Sequence, residues 1–150
     1  MREIKTDIGA LMPIIEEKLA AGGEVLFSPN GVSMLPTLRP GTDKVVLAAA
    51  PDKLRKYDIA LFRCSGGQYV LHRVIGVGET YTFIGDNKLE YERDVAREDI
   101  IALCVARIRN GKRIRLDSSA ARMRARIRHA ARPIKSGAAR VARKLKSMFK

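Results

Sequence analysis

Seven short runs rich in Val, Ile, Phe and Tyr stand at 24–27, 44–48, 58–63, 68–77, 80–84, 100–109 and 113–116, each bounded by turn signals. The signals between them are Pro40-Gly41, Ser65-Gly66-Gly67, Gly85-Asp86-Asn87 and Asn110-Gly111. Asn-Gly is the strongest of these, because both positions of a two-residue hairpin turn need positive φ. Runs this short at hairpin spacing predict a mostly β fold, an antiparallel sheet curled into a small barrel or sandwich. At 150 residues the chain has the size of one ordinary domain rather than a multidomain enzyme.

Helical periodicity flanks the β region on both sides. Ile4, Ile8, Leu11, Ile15 and Leu19 recur at intervals of three and four, which predicts an amphipathic helix within 1–23 that ends at Gly22-Gly23 and packs on the sheet. After residue 117 a second stripe, Met123, Ile127, Ala130, Ile134, Ala138, Val141, Leu145 and Met148, runs through Arg and Lys, with Pro133 placed to kink it. The charge is divided in the same way. Lys and Arg total 29 against 16 Asp and Glu, but 11 of the basic residues and none of the acidic ones fall in 118–150. The reading is therefore a nearly neutral β domain at 24–117 carrying a basic helical tail whose weakly apolar seam leaves it outside the domain core.

Two cysteines, Cys64 and Cys104, exclude a disulfide framework and a four-cysteine zinc site, and read as reduced thiols. The apolar run near the start is broken by Pro13 and stopped by Glu16, Glu17 and Lys18, far short of the roughly 20 residues that span a bilayer. With no export signal and no span, the cytoplasm is the expected compartment.

Three segments carry candidate chemistry. In Gly31-Val32-Ser33-Met34-Leu35-Pro36-Thr37-Leu38 a serine follows a strand in a turn, where its hydroxyl can project and its amide can hold an oxyanion. A hydroxyl needs a base to become a nucleophile, and His72 in Tyr69-Val70-Leu71-His72-Arg73-Val74-Ile75 is the one histidine before the tail. Asp86 in Gly85-Asp86-Asn87 is placed to orient that imidazole as a third member. Each segment alone reads as an ordinary turn or strand.

Taken in order, the segments resemble the type I signal peptidases and the related self-cleaving repressor domains, a serine peptidase superfamily. Gly31 to Leu38 looks like the nucleophile box, and Tyr57-Asp58-Ile59-Ala60-Leu61-Phe62 like the Gly-Asp-Ile-Val strand, with Tyr57 in place of the glycine. His72-Arg73-Val74-Ile75 resembles the base box, Ile84-Gly85-Asp86-Asn87 the box that follows it, and 101–108 the strand after these boxes. The resemblance implies a signal-peptidase type of catalytic fold over 24–117, Ser33 as nucleophile, His72 as general base and Asp86 as its support. It implies an oxyanion held by the Ser33 amide with no side-chain donor at Gly31, and an extended peptide beside the strand before the nucleophile, with Phe27 and Leu71 lining its pockets or serving as plain core. No metal or organic cofactor is implied.

The expected activity is endoproteolysis of a peptide or protein precursor. The alternatives are a non-catalytic peptide-binding module on the same fold, and a membrane or nucleic-acid adaptor acting through the tail. Family members that cut exported proteins carry a membrane span, which this chain lacks. Arg122, Arg124, Arg126, Arg128, Arg132, Lys135, Arg140, Arg143, Lys144 and Lys146 suit an anionic membrane surface, making the chain cytoplasmic and peripheral at a membrane. Nucleic acid is less favoured, since Phe149 is the one aromatic residue available for stacking.

Overall fold

The computed structural model describes residues 8–131. Helix α1 (Ile8–Ala20) is followed by eight strands: β1 (Val25–Phe27), β2 (Asp43–Ala49), β3 (Ile59–Arg63), β4 (Tyr69–Val77), β5 (Tyr81–Ile84), β6 (Tyr91–Val95), β7 (Ile100–Arg109) and β8 (Lys112–Arg115). A second helix, α2, runs over 119–131. All strands join one antiparallel sheet in the order β1-β2-β7-β3-β4-β5-β6, with β8 on β7. The fold is mostly β as expected, but it is not a closed barrel, because β1 and β6 end the strand path unpaired with each other. Register shifts at Val46/Leu47, Leu61/Phe62, Val74/Gly76 and Tyr81/Phe83 supply local kinks.

β3 explains why the middle of the chain reads as near-continuous apolar sequence. Ile59 and Leu61 enter a core cluster with Met34, Leu38, Val45, Leu47 and Cys104, while Ala60 and Phe62 enter another with Val74, Tyr81 and Phe83. A strand covered on both faces has no polar side to show. Helix α1 covers the first cluster with Met12, Ile15 and Leu19. It ends where Gly23 donates to the Lys18 carbonyl and Gly22 to the Leu19 carbonyl, both at 3.0 Å, with Gly22 at φ 82°. Asn110 and Gly111 have φ of 52° and 76° and join β7 to β8 with Arg109 opposite Lys112, the hairpin their dipeptide predicts.

Two readings need correction. β6, Tyr91-Glu92-Arg93-Asp94-Val95, has no apolar run to announce it. It is an edge strand that buries only Val95, and charge along an edge discourages further pairing. The start of the tail is also part of the packed body, since α2 buries Ala121 and Ala125 over Leu116 and its neighbours. The stripe chosen from sequence faces outward instead, with Met123 52% and Ile127 65% exposed. Small alanines let the helix approach closely, so the contact face is the less hydrophobic one. The rest of the tail, including Pro133, and Ile4 lie outside the described residues. Among the described residues no helix is long and apolar enough to cross a membrane.

Candidate active site

The turn that carries Ser33 is pinned by its apolar residues. Met34 and Leu38 are buried in the first core cluster, and the Leu38 amide donates to the Met34 carbonyl at 2.9 Å. Ser33 is thereby left on the rim, half-buried, behind Gly31 at φ 79°. Among the described residues neither the hydroxyl nor the amide of Ser33 has a hydrogen-bond partner. An amide held open beside a serine hydroxyl is what an oxyanion would need.

His72 is set by β4, where it lies opposite Ala60 of β3. Its ring meets Phe62 edge-on at 6.2 Å between centroids, and its Nδ1 is buried without a partner among the described residues. Burial, reinforced by the positive charge of Lys88 and opposed by Asp86, lowers its pKa to about 4. The ring is therefore neutral at physiological pH, the form that can accept a proton.

Gly85-Asp86-Asn87 joins the other two segments. The Asn87 amide donates to the Ser33 carbonyl at 2.8 Å, and its side-chain nitrogen to the Val32 carbonyl at 3.1 Å. The Asp86 amide donates to the Met34 thioether at 3.4 Å. A Cβ on Gly85 would lie 2.6 Å from the Ser33 carbonyl oxygen and 3.1 Å from His72 Nε2, so only glycine fits between the Ser33 turn and the imidazole.

Asp86 does not hold His72. Its carboxylate takes two hydrogen bonds from Arg73, both 2.7 Å, one from the Thr37 hydroxyl, and a 3.0 Å contact from His129 Nε2. Burial pushes this carboxyl up, but the bonds from Arg73, His129 and Thr37 outweigh it and hold the group well below the usual carboxylate range. The reason lies in the pleat: His72 and Arg73 are consecutive on a strand and project to opposite faces, so the acid that meets Arg73 is turned away from the imidazole.

No family model, curated protein or solved structure matches the chain.

Ser33 and His72 line one groove of about 440 Å³, together with Phe27, Gly31, Leu71 and Lys88. Five of the six residues expected at the site thus share one surface, and Asp86 does not line it. Phe27 and Leu71 also pack against the first core cluster, so each is both wall and core. The groove lies by two strand edges that are open among the described residues: β1 pairs there only with β2, and residues 69–72 of β4 pair with β3 but not with β5. Sequence reasoning missed Arg73, Thr37, Asn87 and His129. The first three lie inside the quoted motifs, and a basic residue beside a buried acid was a usable signal. Nothing local marks His129, 43 positions from Asp86.

The basic residues of α2 divide. Arg122 turns to Asp58 at 3.5 Å, and Arg128 donates to the Thr37 hydroxyl and lies 3.6 Å from Asp86, so both serve the body. Arg124 and Arg126 are exposed. Arg132, Lys135, Arg140, Arg143, Lys144 and Lys146 lie outside the described residues.

Proposed function

We propose that the chain is a serine endopeptidase of the type the signal-peptidase resemblance implies, working through a Ser33-His72 dyad on an extended peptide. The observation that carries this reading is the groove shared by Ser33 and His72, with Gly85 fitted between their two segments. His72 takes the Ser33 proton as the oxygen attacks the scissile carbonyl, and the Ser33 amide receives the oxyanion. The proton passes to the departing amine, leaving an acyl-enzyme. His72 then draws a proton from water, and hydrolysis restores Ser33. The open edges of β1 and of 69–72 supply main-chain donors and acceptors for an extended substrate.

A peptidase also has to meet its precursor. We propose that α2 brings it to an anionic membrane surface, a reading supported by exposed Met123 and Ile127 beside Arg124 and Arg126. One observation favours a non-catalytic peptide-binding module instead: His72 Nδ1 is buried with no acceptor among the described residues to orient the ring. The two readings part on one experiment. A peptide library incubated with wild type and read by mass spectrometry should yield cleavage products that vanish in both Ser33→Ala and His72→Ala. Peptides retained without any cleavage would establish the module, and cleavage undiminished in Ser33→Ala would end the peptidase reading.

A further inference from the structure

A second cavity of about 360 Å³ opens between α2 and the β7–β8 hairpin. Arg73, Arg107, Arg124 and Arg128 line it together with Thr37 and Leu116, and no carboxylate does among the described residues. The nearest acids are already engaged. Asp86 accepts two bonds from Arg73, and Asp43 accepts two from Arg109, all at 2.7 Å. Arg107 donates to the Thr37 carbonyl at 2.7 Å, while its Nε–H is buried without a partner. Arg124 makes no ion pair among the described residues. Burial and then repulsion from Arg109, Arg39 and Arg124, against the pull of Asp43, hold the Arg107 guanidinium below its usual value. Among the described residues, two guanidinium groups with no acid partner and one buried N–H with no acceptor leave this cavity short of negative charge.

We propose that the cavity binds a phosphate group, borne either by free phosphate or by the headgroup of an anionic phospholipid. A tetrahedral dianion offers several acceptor oxygens to forks that converge from different sides, which one carboxylate cannot do. The lipid source has support on the same helix, where Met123 and Ile127 are exposed to one side of Arg124 and can take up the start of an acyl chain. Neither Ser33 nor His72 lines this cavity, so the site stands or falls independently of proteolysis.

The test uses the full-length chain at constant ionic strength. Calorimetric titration with inorganic phosphate is run beside co-sedimentation with phosphatidylcholine vesicles with and without phosphatidic acid. Saturable heat with inorganic phosphate assigns the free ion, and binding confined to phosphatidic acid vesicles assigns the lipid. In either case Arg124→Gln, an exposed change that spares the fold, weakens binding more than about tenfold. Arg107→Lys, which keeps the charge and loses the fork, weakens it in the same direction. Arg126→Gln, on the same helix but outside the cavity, costs less than about fivefold. Binding of neither probe, or equal losses from Arg124→Gln and Arg126→Gln, overturns the proposal.

Discussion

Arg73 and Asp86 are both buried, and each is the other's main compensation for leaving water. Asp86→Ala strands a buried guanidinium and should lower stability by about 3–5 kcal/mol in denaturant titration. A loss under about 1 kcal/mol would mean the pair is not desolvated as described. Tyr57 poses a different residue-scale question. It occupies the place of a glycine in the motif it resembles, and it sits at φ 76°, the left-handed region where a side chain costs about 1–2 kcal/mol. Its amide donates to the Val74 carbonyl at 2.7 Å and its carbonyl accepts from Arg73 at 2.8 Å, so the backbone cannot relax away. Glycine relieves that strain but adds freedom to the unfolded chain, and Tyr57→Gly should therefore raise stability by less than about 1 kcal/mol. A clear loss would show that the ring's contacts with Lys56 and His129 outweigh the strain.

At the scale of elements, legibility followed how locally each was encoded. The β7–β8 hairpin was readable to the residue because Asn110-Gly111 carries its own geometry. β3 and β7 were readable because burial on alternate or both faces writes itself as Val, Ile, Leu and Ala. β6 was not, because an edge strand with one buried residue leaves no pattern. The groove was legible through Ser33, Gly31, Phe27, Leu71 and His72. Asp86 was misassigned, because sequence order cannot tell which of two consecutive side chains, His72 or Arg73, an acid will meet. The docked face of α2 was misread for a related reason. Hydrophobicity selected Met123 and Ile127, whereas close approach selected Ala121 and Ala125. Ala125→Arg should therefore unseat α2 and speed amide exchange over 119–131, at a cost of about 1–3 kcal/mol. Met123→Arg on the outer face should leave exchange unchanged; the reverse ranking would restore the sequence-based stripe.

Across the whole molecule His72 and Asp86 withdraw stability as pH falls, each in its own window, while Asp58, whose carboxyl burial pushes up, acts in the opposite sense. His72 released into the unfolded chain takes up a proton near its ordinary pKa of 6.5, while the folded ring stays neutral down to about 4. As pH falls the unfolded state gains that proton first, so stability drains between pH 6.5 and about 4 and not below. Asp86 adds a second, lower window. Its folded pKa is depressed, so its contribution is complete above the ordinary value of 3.8 and is lost as pH falls through and beneath it. Thermal unfolding followed from pH 7 to pH 4.5 should show a falling midpoint in wild type and a flatter one in His72→Gln, which has no proton to gain in that interval. The proposed peptidase activity should meanwhile hold until about pH 4, because the His72 ring remains neutral, instead of fading near 6.5. Activity lost around pH 6.5 with the midpoint still high would place the imidazole in water and undo the account of His72 given by its burial.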